Sequence, residues 1–274
     1  MATEKRIEVG GIGTRYWEVE GGQPERPVVF VHGNPNSADG WLPFLAKLEG
    51  RRRCVAPDLV GWGKADKPPD YPYTAEALAW FVGAFVDELG VERFDLAVHD
   101  WGGLGLITAT WRPESVGRIV VINSVTFTNE YSWHWVARIW RTPVLGELML
   151  ATTTRFGTRQ ILRQATPKPG SLPEIADEIH RYLDRGTKRA ILQLYRDADE
   201  EKLGMLGRDL AKLRCPALVI WGDADPYIQP RFADWLAQAL SGETRVEHLE
   251  DAGHWPWHDR ADVIDMVGDF LTST

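Results

Sequence analysis

Four short stretches hold residues able to do chemistry, and each follows an apolar run. AVHDWGG puts Asp100 straight after one such run, with Trp101, Gly102 and Gly103 opening the next helix. A carboxylate on a sharp strand-to-helix turn is placed to act as a nucleophile, although an isolated Asp there reads equally well as a helix cap. HGNPNS puts His32, Gly33, Asn34 and Pro35 after PVVFV, a turn in which the Asn34–Pro35 bond can be cis. VIWGDADPYIQ carries Asp223 and Asp225, and DAGHWPW carries His254. In chain order these are a candidate nucleophile, a candidate acid and a candidate base, the set that covalent catalysis needs. No His or Cys spacing points to a metal, and this chemistry requires no cofactor.

Such residues must be held at strand ends, and the sequence supplies the strands. IEVGGIGTRYWEVEG (7–21) reads as a hairpin, and PVVFVHG, RCVAPDL, FDLAVHD, GRIVVINS and PALVIWGD are nearly continuous apolar runs suited to a parallel sheet covered on both faces. TRVEHLE adds a strand before His254. Helical spacing alternates with these runs at 74–90, where Thr74 can cap the start, and again at 231–242 and 261–271. Strand, helix, strand in repetition predicts an α/β fold. The alternation stops between about 126 and 210, a Trp-, Arg- and Leu-rich segment with helical stretches WHWVARIWR, GELMLATTT, EIADEIHRYLD and KRAILQLYRDADEE. An insert this long is expected to be a helical lid over the strand ends, not a plain loop.

The composition excludes several classes. The 274 residues are 44% hydrophobic and 26% charged, enough for a sizeable core. A net charge of −8 argues against a nucleic-acid partner, and Arg51-Arg52-Arg53 reads as a solvated turn. No apolar stretch approaches the ~20 residues of a membrane span, so no membrane partner is expected. MATEKRIEVG lacks the apolar core of a signal peptide, and Cys54 and Cys215 lie in apolar runs as reduced core residues; the expected location is the cytoplasm.

Taken together, the four motifs resemble the α/β-hydrolase superfamily over nearly the whole chain, and within it the branch with an aspartate nucleophile, the epoxide hydrolases and haloalkane dehalogenases. PDLVGWGKADKP (57–68) is similar to that family's stretch after the fourth strand, with Ala65 where Ser is usual. The resemblance implies an α/β-hydrolase fold with a mostly parallel central sheet, a core of 1–125 and 211–274, and a cap of 126–210. It implies Asp100 as nucleophile, His254 as base and Asp225 as its partner, since the G-x-x-D pattern from Gly222 lands on Asp225. The oxyanion donors would be the backbone N–H groups of Asn34 and Trp101.

An aspartate attacks an sp³ carbon and forms an alkyl ester whose carbonyl belongs to the enzyme; water activated by His254 then attacks that carbonyl. An epoxide leaves as an alkoxide and needs a proton donor, whereas a halide needs only polarised N–H groups. The resemblance places His134, in SWHWVARIW, and Tyr195, in ILQLYRDADEE, as the epoxide donors, with Tyr131 and Tyr182 as alternatives. Asn34 and Trp101 are similar to the side-chain pair that holds halide in many haloalkane dehalogenases. Trp101 and Leu104 stand where fluoroacetate dehalogenases carry arginines, which disfavours a carboxylate substrate. The expectation is therefore hydrolysis of a small apolar epoxide by water, with a haloalkane as the alternative and a non-catalytic receptor as the reading from a different class. Oligomeric state is not read from the sequence.

Eight of the 13 tryptophans divide in two groups, and Trp41, Trp62, Trp140, Trp255 and Trp257 are left unassigned. Trp17, Trp80, Trp111, Trp221 and Trp235 are expected in the core or in packing. Trp101, Trp133 and Trp135, with Pro35, are expected to line the substrate pocket.

Overall fold

The computed structural model describes residues 1–273. Its eight strands are β1 (Thr3–Val9), β2 (Ile12–Val19), β3 (Val28–Val31), β4 (Cys54–Pro57), β5 (Phe94–Asp100), β6 (Val116–Ser124), β7 (Ala217–Gly222) and β8 (Thr244–Leu249). They form one sheet in the order β1-β2-β4-β3-β5-β6-β7-β8. The β1–β2 and β2–β4 pairs are antiparallel and every other pair is parallel. This is the alpha/beta hydrolase fold, with a mostly parallel sheet.

Alternation along each strand splits the core in two. Val29, Val31, Leu96, Val98, Ile119 and Val121 join one buried cluster, while Val28, Phe30, Ala97, Val120 and Ile122 join the other. Both faces are covered, which is why these strands read as continuous apolar runs instead of alternating ones. α2 (Ala75–Glu88), α3 (Leu104–Trp111) and α10 (Arg231–Ala239) pack on the first face; α1 (Leu42–Leu48), the short α11 (Pro256–Asp259) and α12 (Asp262–Thr272) pack on the second. The Thr74 hydroxyl accepts the Ala77 N–H, capping α2 as its sequence requires.

Between β6 and β7 the chain forms α4 (Trp135–Arg141), α5 (Leu145–Thr152), α6 (Arg155–Leu162), α7 (Leu172–Tyr182), α8 (Arg185–Asp197) and α9 (Glu200–Gly207). Two of these differ from expectation. The run KRAILQLYRDADEE is broken at Ala198, because the Asp199 carboxylate accepts the Lys202 N–H and starts α9 afresh. Likewise α6 starts at a Thr154 cap, although its Gly and Thr residues give it a weak helical signal.

Trp80 and Trp111 are not core: each is 51% exposed, because α2 and α3 turn these positions to solvent. Trp17 and Trp235 are half-buried and Trp221 is fully buried. Cys54 is buried and Cys215 half-buried, both as free thiols. Among the described residues no helix is long and apolar enough to cross a membrane.

Candidate active site

β5 is a central strand, paired with β3 on one side and β6 on the other, and Asp100 is its last residue. Its backbone has φ +50°, a conformation that costs a non-glycine residue ~1–3 kcal/mol and that turns the carboxylate out of the sheet. The neighbours make room for it. A Cβ at Gly33 would lie 2.3 Å from Asp100 Oδ1, and one at Gly102 would lie 2.0 Å from the Val31 carbonyl oxygen. The Ser124 hydroxyl (3.0 Å) and the Val125 N–H (3.1 Å) both donate to the Asp100 carbonyl and close the turn against the end of β6.

The Asp100 carboxylate receives the Asn34 backbone N–H at 2.6 Å on Oδ1 and a second bond from the Trp101 backbone N–H. Burial lifts its pKa to about 6, with the His254 charge and these two N–H groups pulling the other way. The carboxylate form therefore predominates at neutral pH. The Asn34–Pro35 bond is cis. His32, in the same loop, accepts the Leu59 N–H at 3.0 Å through Nε2 and thereby ties the loop to the segment after β4.

His254 follows β8 and reaches back across the sheet. Its Nδ1 lies 2.7 Å from Asp225 Oδ2, and its Nε2 lies 3.6 Å from Asp100 Oδ2. Burial opposes charging of the imidazole, but the Asp225 and Asp100 carboxylates outweigh it and raise the pKa. Asp225 is fixed from three sides: Oδ1 accepts the Tyr227 (2.7 Å) and Ile228 (3.1 Å) N–H groups, and Oδ2 accepts Asn123 Nδ2 at 2.8 Å. Asp223 instead bonds His248 at the half-exposed edge. Sequence reasoning missed Asn123. Its signal was a polar residue in the apolar run IVVINS, where it also accepts the Gly222 N–H at 2.8 Å.

A pocket opens over Asp100, lined by Asn34, Pro35, Trp101, Trp133, His134, Tyr195, Tyr227 and His254 and extended by apolar residues from α5, α6, α7 and α8. Trp62, also missed, donates its indole N–H to Asn34 Oδ1 at 3.0 Å. The Asn34 Nδ2 then faces the Tyr195 hydroxyl at 3.4 Å. Burial and the Asp100 charge raise the Tyr195 pKa, so the phenol stays protonated. The Trp101 and Trp133 rings stack at 6.0 Å, and their indole N–H groups are buried with no hydrogen-bond partner among the described residues.

Two residues depart from expectation. His134 lines the pocket, but its Nδ1 accepts the Ala137 N–H at 3.3 Å as the cap of α4 and its ring lies against Tyr227, 4.8 Å away. Burial lowers its pKa to about 4, so it is neutral at pH 7, and no hydrogen bond joins it to Tyr195 among the described residues. Trp135 is outside the pocket, 47% exposed with its N–H on Gln164, because α4 puts adjacent residues on different faces. Trp140 and Trp255, unassigned from sequence, line the pocket in its place; the Trp255 ring stands edge-on to His254 at 4.7 Å, and its N–H donates to Asn36. Asn36 in turn donates to Glu178 of α7 at 3.2 Å, and burial lifts the Glu178 pKa to about 7. Among the described residues no group of three or more His, Cys, Asp or Glu side chains is gathered for a metal.

The alpha/beta hydrolase fold family matches residues 26–261. The chain is 28% identical to a cis-3-alkyl-4-alkyloxetan-2-one decarboxylase of Xanthomonas campestris pv. campestris, over 96% of this chain and 93% of that one. It is 24% identical to epoxide hydrolase 4 of Mus musculus, over 99% and 80%. Among solved structures, haloalkane dehalogenase DbeA from Bradyrhizobium elkani USDA94 superposes with a TM-score of 0.84 at 26% identity, covering 99% of this chain and 97% of that one.

Proposed function

The chain belongs to the alpha/beta hydrolase fold family, of the dehalogenase and epoxide hydrolase type, and on that premise we propose that it hydrolyses apolar epoxides to vicinal diols. The observation that supports this most is the buried, protonated Tyr195 hydroxyl beside Asn34 in the pocket of the Asp100 carboxylate. An alkoxide leaving group needs that proton; a halide does not.

Asn34 N–H holds Oδ1, so Oδ2 is the attacking oxygen. It bonds an epoxide carbon as the C–O bond breaks, and the Tyr195 O–H protonates the ring oxygen. The resulting ester keeps Oδ1 between the Asn34 and Trp101 N–H groups. His254 then takes a proton from water, whose oxygen attacks the ester carbonyl, and the charge gathers on Oδ1. Each such donor is typically worth ~10²–10³ in rate. Collapse restores the carboxylate and releases the diol, whose second hydroxyl keeps one proton of the attacking water; the other, held on the imidazolium that Asp225 steadies, is passed on and regenerates the Tyr195 phenol. Asp100, His254 and Asp225 are thus the catalytic triad. Tyr195 is the acid, and neutral His134, whose Nδ1 caps α4, lines the same pocket with Nε2–H as its remaining donor. Residues 1–125 and 211–274 are the catalytic core and 126–210 the cap.

A second reading, haloalkane dehalogenation, is supported by the Trp101 indole N–H, buried without a hydrogen-bond partner among the described residues, and by Asn34 Nδ2 in the same pocket, two donors suited to halide. The test is a three-substrate assay of styrene oxide, a dibromoalkane and a cis-3,4-dialkyloxetan-2-one, the last because of the decarboxylase relative. Diol release supports the proposal. Bromide release without diol transfers it to the second reading, carbon dioxide release to the lactone, and no turnover of any of the three defeats it.

A further inference from the structure

α5 and α6 each line the pocket with one face, through Leu150 on α5 and Ile161 and Leu162 on α6. The outward side of α5 and its N-terminal cap is apolar too, and α6 adds one exposed aromatic ring among its arginines. Phe156 is 70% exposed, Val144 66%, Leu148 56% and Leu145 53%, and no other short segment leaves so many large apolar side chains in water among the described residues. Val144 has φ +72°, a conformation that β-branched side chains rarely adopt and that Gly or Asn would take at less cost. Isolated exposed apolar residues are ordinary, but three at α5 and its cap with a fourth at the start of α6 make a candidate contact surface.

Charge distinguishes what the surface contacts. Trp135 to Arg163 contains five arginines (138, 141, 155, 159 and 163) against a single acid, Glu147, in a chain whose net charge is −8. Glu147 is bound to Arg196, and Arg155 and Arg159 share Asp177. Arg138 and Arg163 are exposed, and no acidic partner is found for either among the described residues. Apolar side chains beside unneutralised arginines, with the half-exposed Trp135 indole next to them, are the composition of a segment that lies in the headgroup region of an anionic bilayer.

We propose that the outer face of α4 to α6, with Phe156, Leu148, Leu145 and Val144 as its apolar contacts and Arg138 and Arg163 as its cations, docks on an anionic lipid surface. The lack of a spanning stretch bears on insertion through a membrane and not on contact with its surface. Because the same two helices wall the pocket, docking brings the pocket next to the phase in which apolar compounds concentrate. The proposal stands apart from the choice of leaving group, and its test needs no substrate.

The full chain is floated with vesicles of phosphatidylcholine and of phosphatidylcholine mixed with phosphatidylglycerol. The expected result is association with the anionic vesicles, weakened by high salt. The Leu148→Ser/Phe156→Ser double variant should lose roughly tenfold or more in partitioning while its thermal unfolding stays near wild type, and Arg138→Glu/Arg163→Glu should lose the preference for anionic vesicles. Wild type that stays with the aqueous fraction, or folded variants that float as wild type does, overturns the proposal. So does sedimentation showing a dimer that the serine substitutions dissociate, which would assign the face to a second copy of this chain.

Discussion

The Trp62 indole N–H is bonded to Asn34 Oδ1 at 3.0 Å, so the Asn34 amide can present only its N–H₂ end to the pocket. A carboxamide free to rotate would offer oxygen as readily as nitrogen, and oxygen would repel a departing alkoxide or halide. Trp62 is thus a positioning residue for the leaving group. Trp62→Phe keeps most of the buried ring and removes the bond; kcat/KM should fall roughly tenfold, about the value of one hydrogen bond to a developing charge. Unchanged kcat/KM in a folded variant would show that the amide holds its orientation without Trp62.

The covalent step has a direct signature. Asp100→Asn should abolish turnover. His254→Gln should still be alkylated but fail to hydrolyse the ester, and intact-mass analysis after substrate addition should show one adduct per chain. An unmodified His254→Gln protein would rule out a covalent alkyl-enzyme.

Asn123 acts through Asp225. Asn123→Ala leaves Asp225 Oδ2 with His254 alone and should lower kcat about tenfold and KM with it, leaving kcat/KM nearly unchanged. Alkyl-enzyme should accumulate during turnover, because the slowed step is ester hydrolysis. A rise in KM at constant kcat would place Asn123 in binding instead.

The pH profile follows from the direction in which the nucleophile must be charged. Asp100 reacts as the carboxylate, and burial has raised its pKa to about 6. Activity is lost as pH falls through that value, so kcat/KM at pH 5 should be roughly a tenth of its plateau. Asp100 and His254 titrate together, and the observed midpoint belongs to the pair. A flat profile down to pH 5 would mean that the N–H donors outweigh burial.

Glu178 should make the fold less stable as pH rises. Its pKa is about 7 in the folded chain against an ordinary 4.5, so both states hold the proton below 4.5. Between 4.5 and 7 only the unfolded chain ionises, and stability falls; above 7 the full penalty is present, ~3 kcal/mol. Glu178→Gln keeps an acceptor for Asn36 and removes the titration. It should melt higher than wild type at pH 8 and converge with it at pH 4, and identical melting at both pH values would contradict this.

The strands and the chemical core were legible because each is local: apolar runs ending in Asp100, Asp225 and His254 announce a strand and its functional tip together. The side chains that orient them were not. Trp62 meets Asn34, and Asn123 meets Asp225, only because β4 lies beside β3 and β6 beside β7, and no spacing in the chain encodes that. His134 shows the converse. Its W-H-W context points to an acid and gives no sign of the cap that the helix starting there needs, which the imidazole Nδ1 supplies. Trp135 failed for a similar reason, since one residue along a helix rotates a side chain by about 100°.

The pocket is built from a core and an insert that contribute different things. Asp100, His254, Asp225 and both backbone N–H donors come from the sheet and the turns at its strand ends, and its central strand β5 is paired on both sides. Tyr195, Trp133 and His134 come from the segment inserted between β6 and β7. Bond formation is therefore encoded on either side of the insert and protonation of the leaving oxygen within it. Exchanging the segment 126–210 between such scaffolds would be expected to change which bond is broken while keeping the nucleophile and its hydrolysis, so that new reactions can arise by recombination at two strand ends.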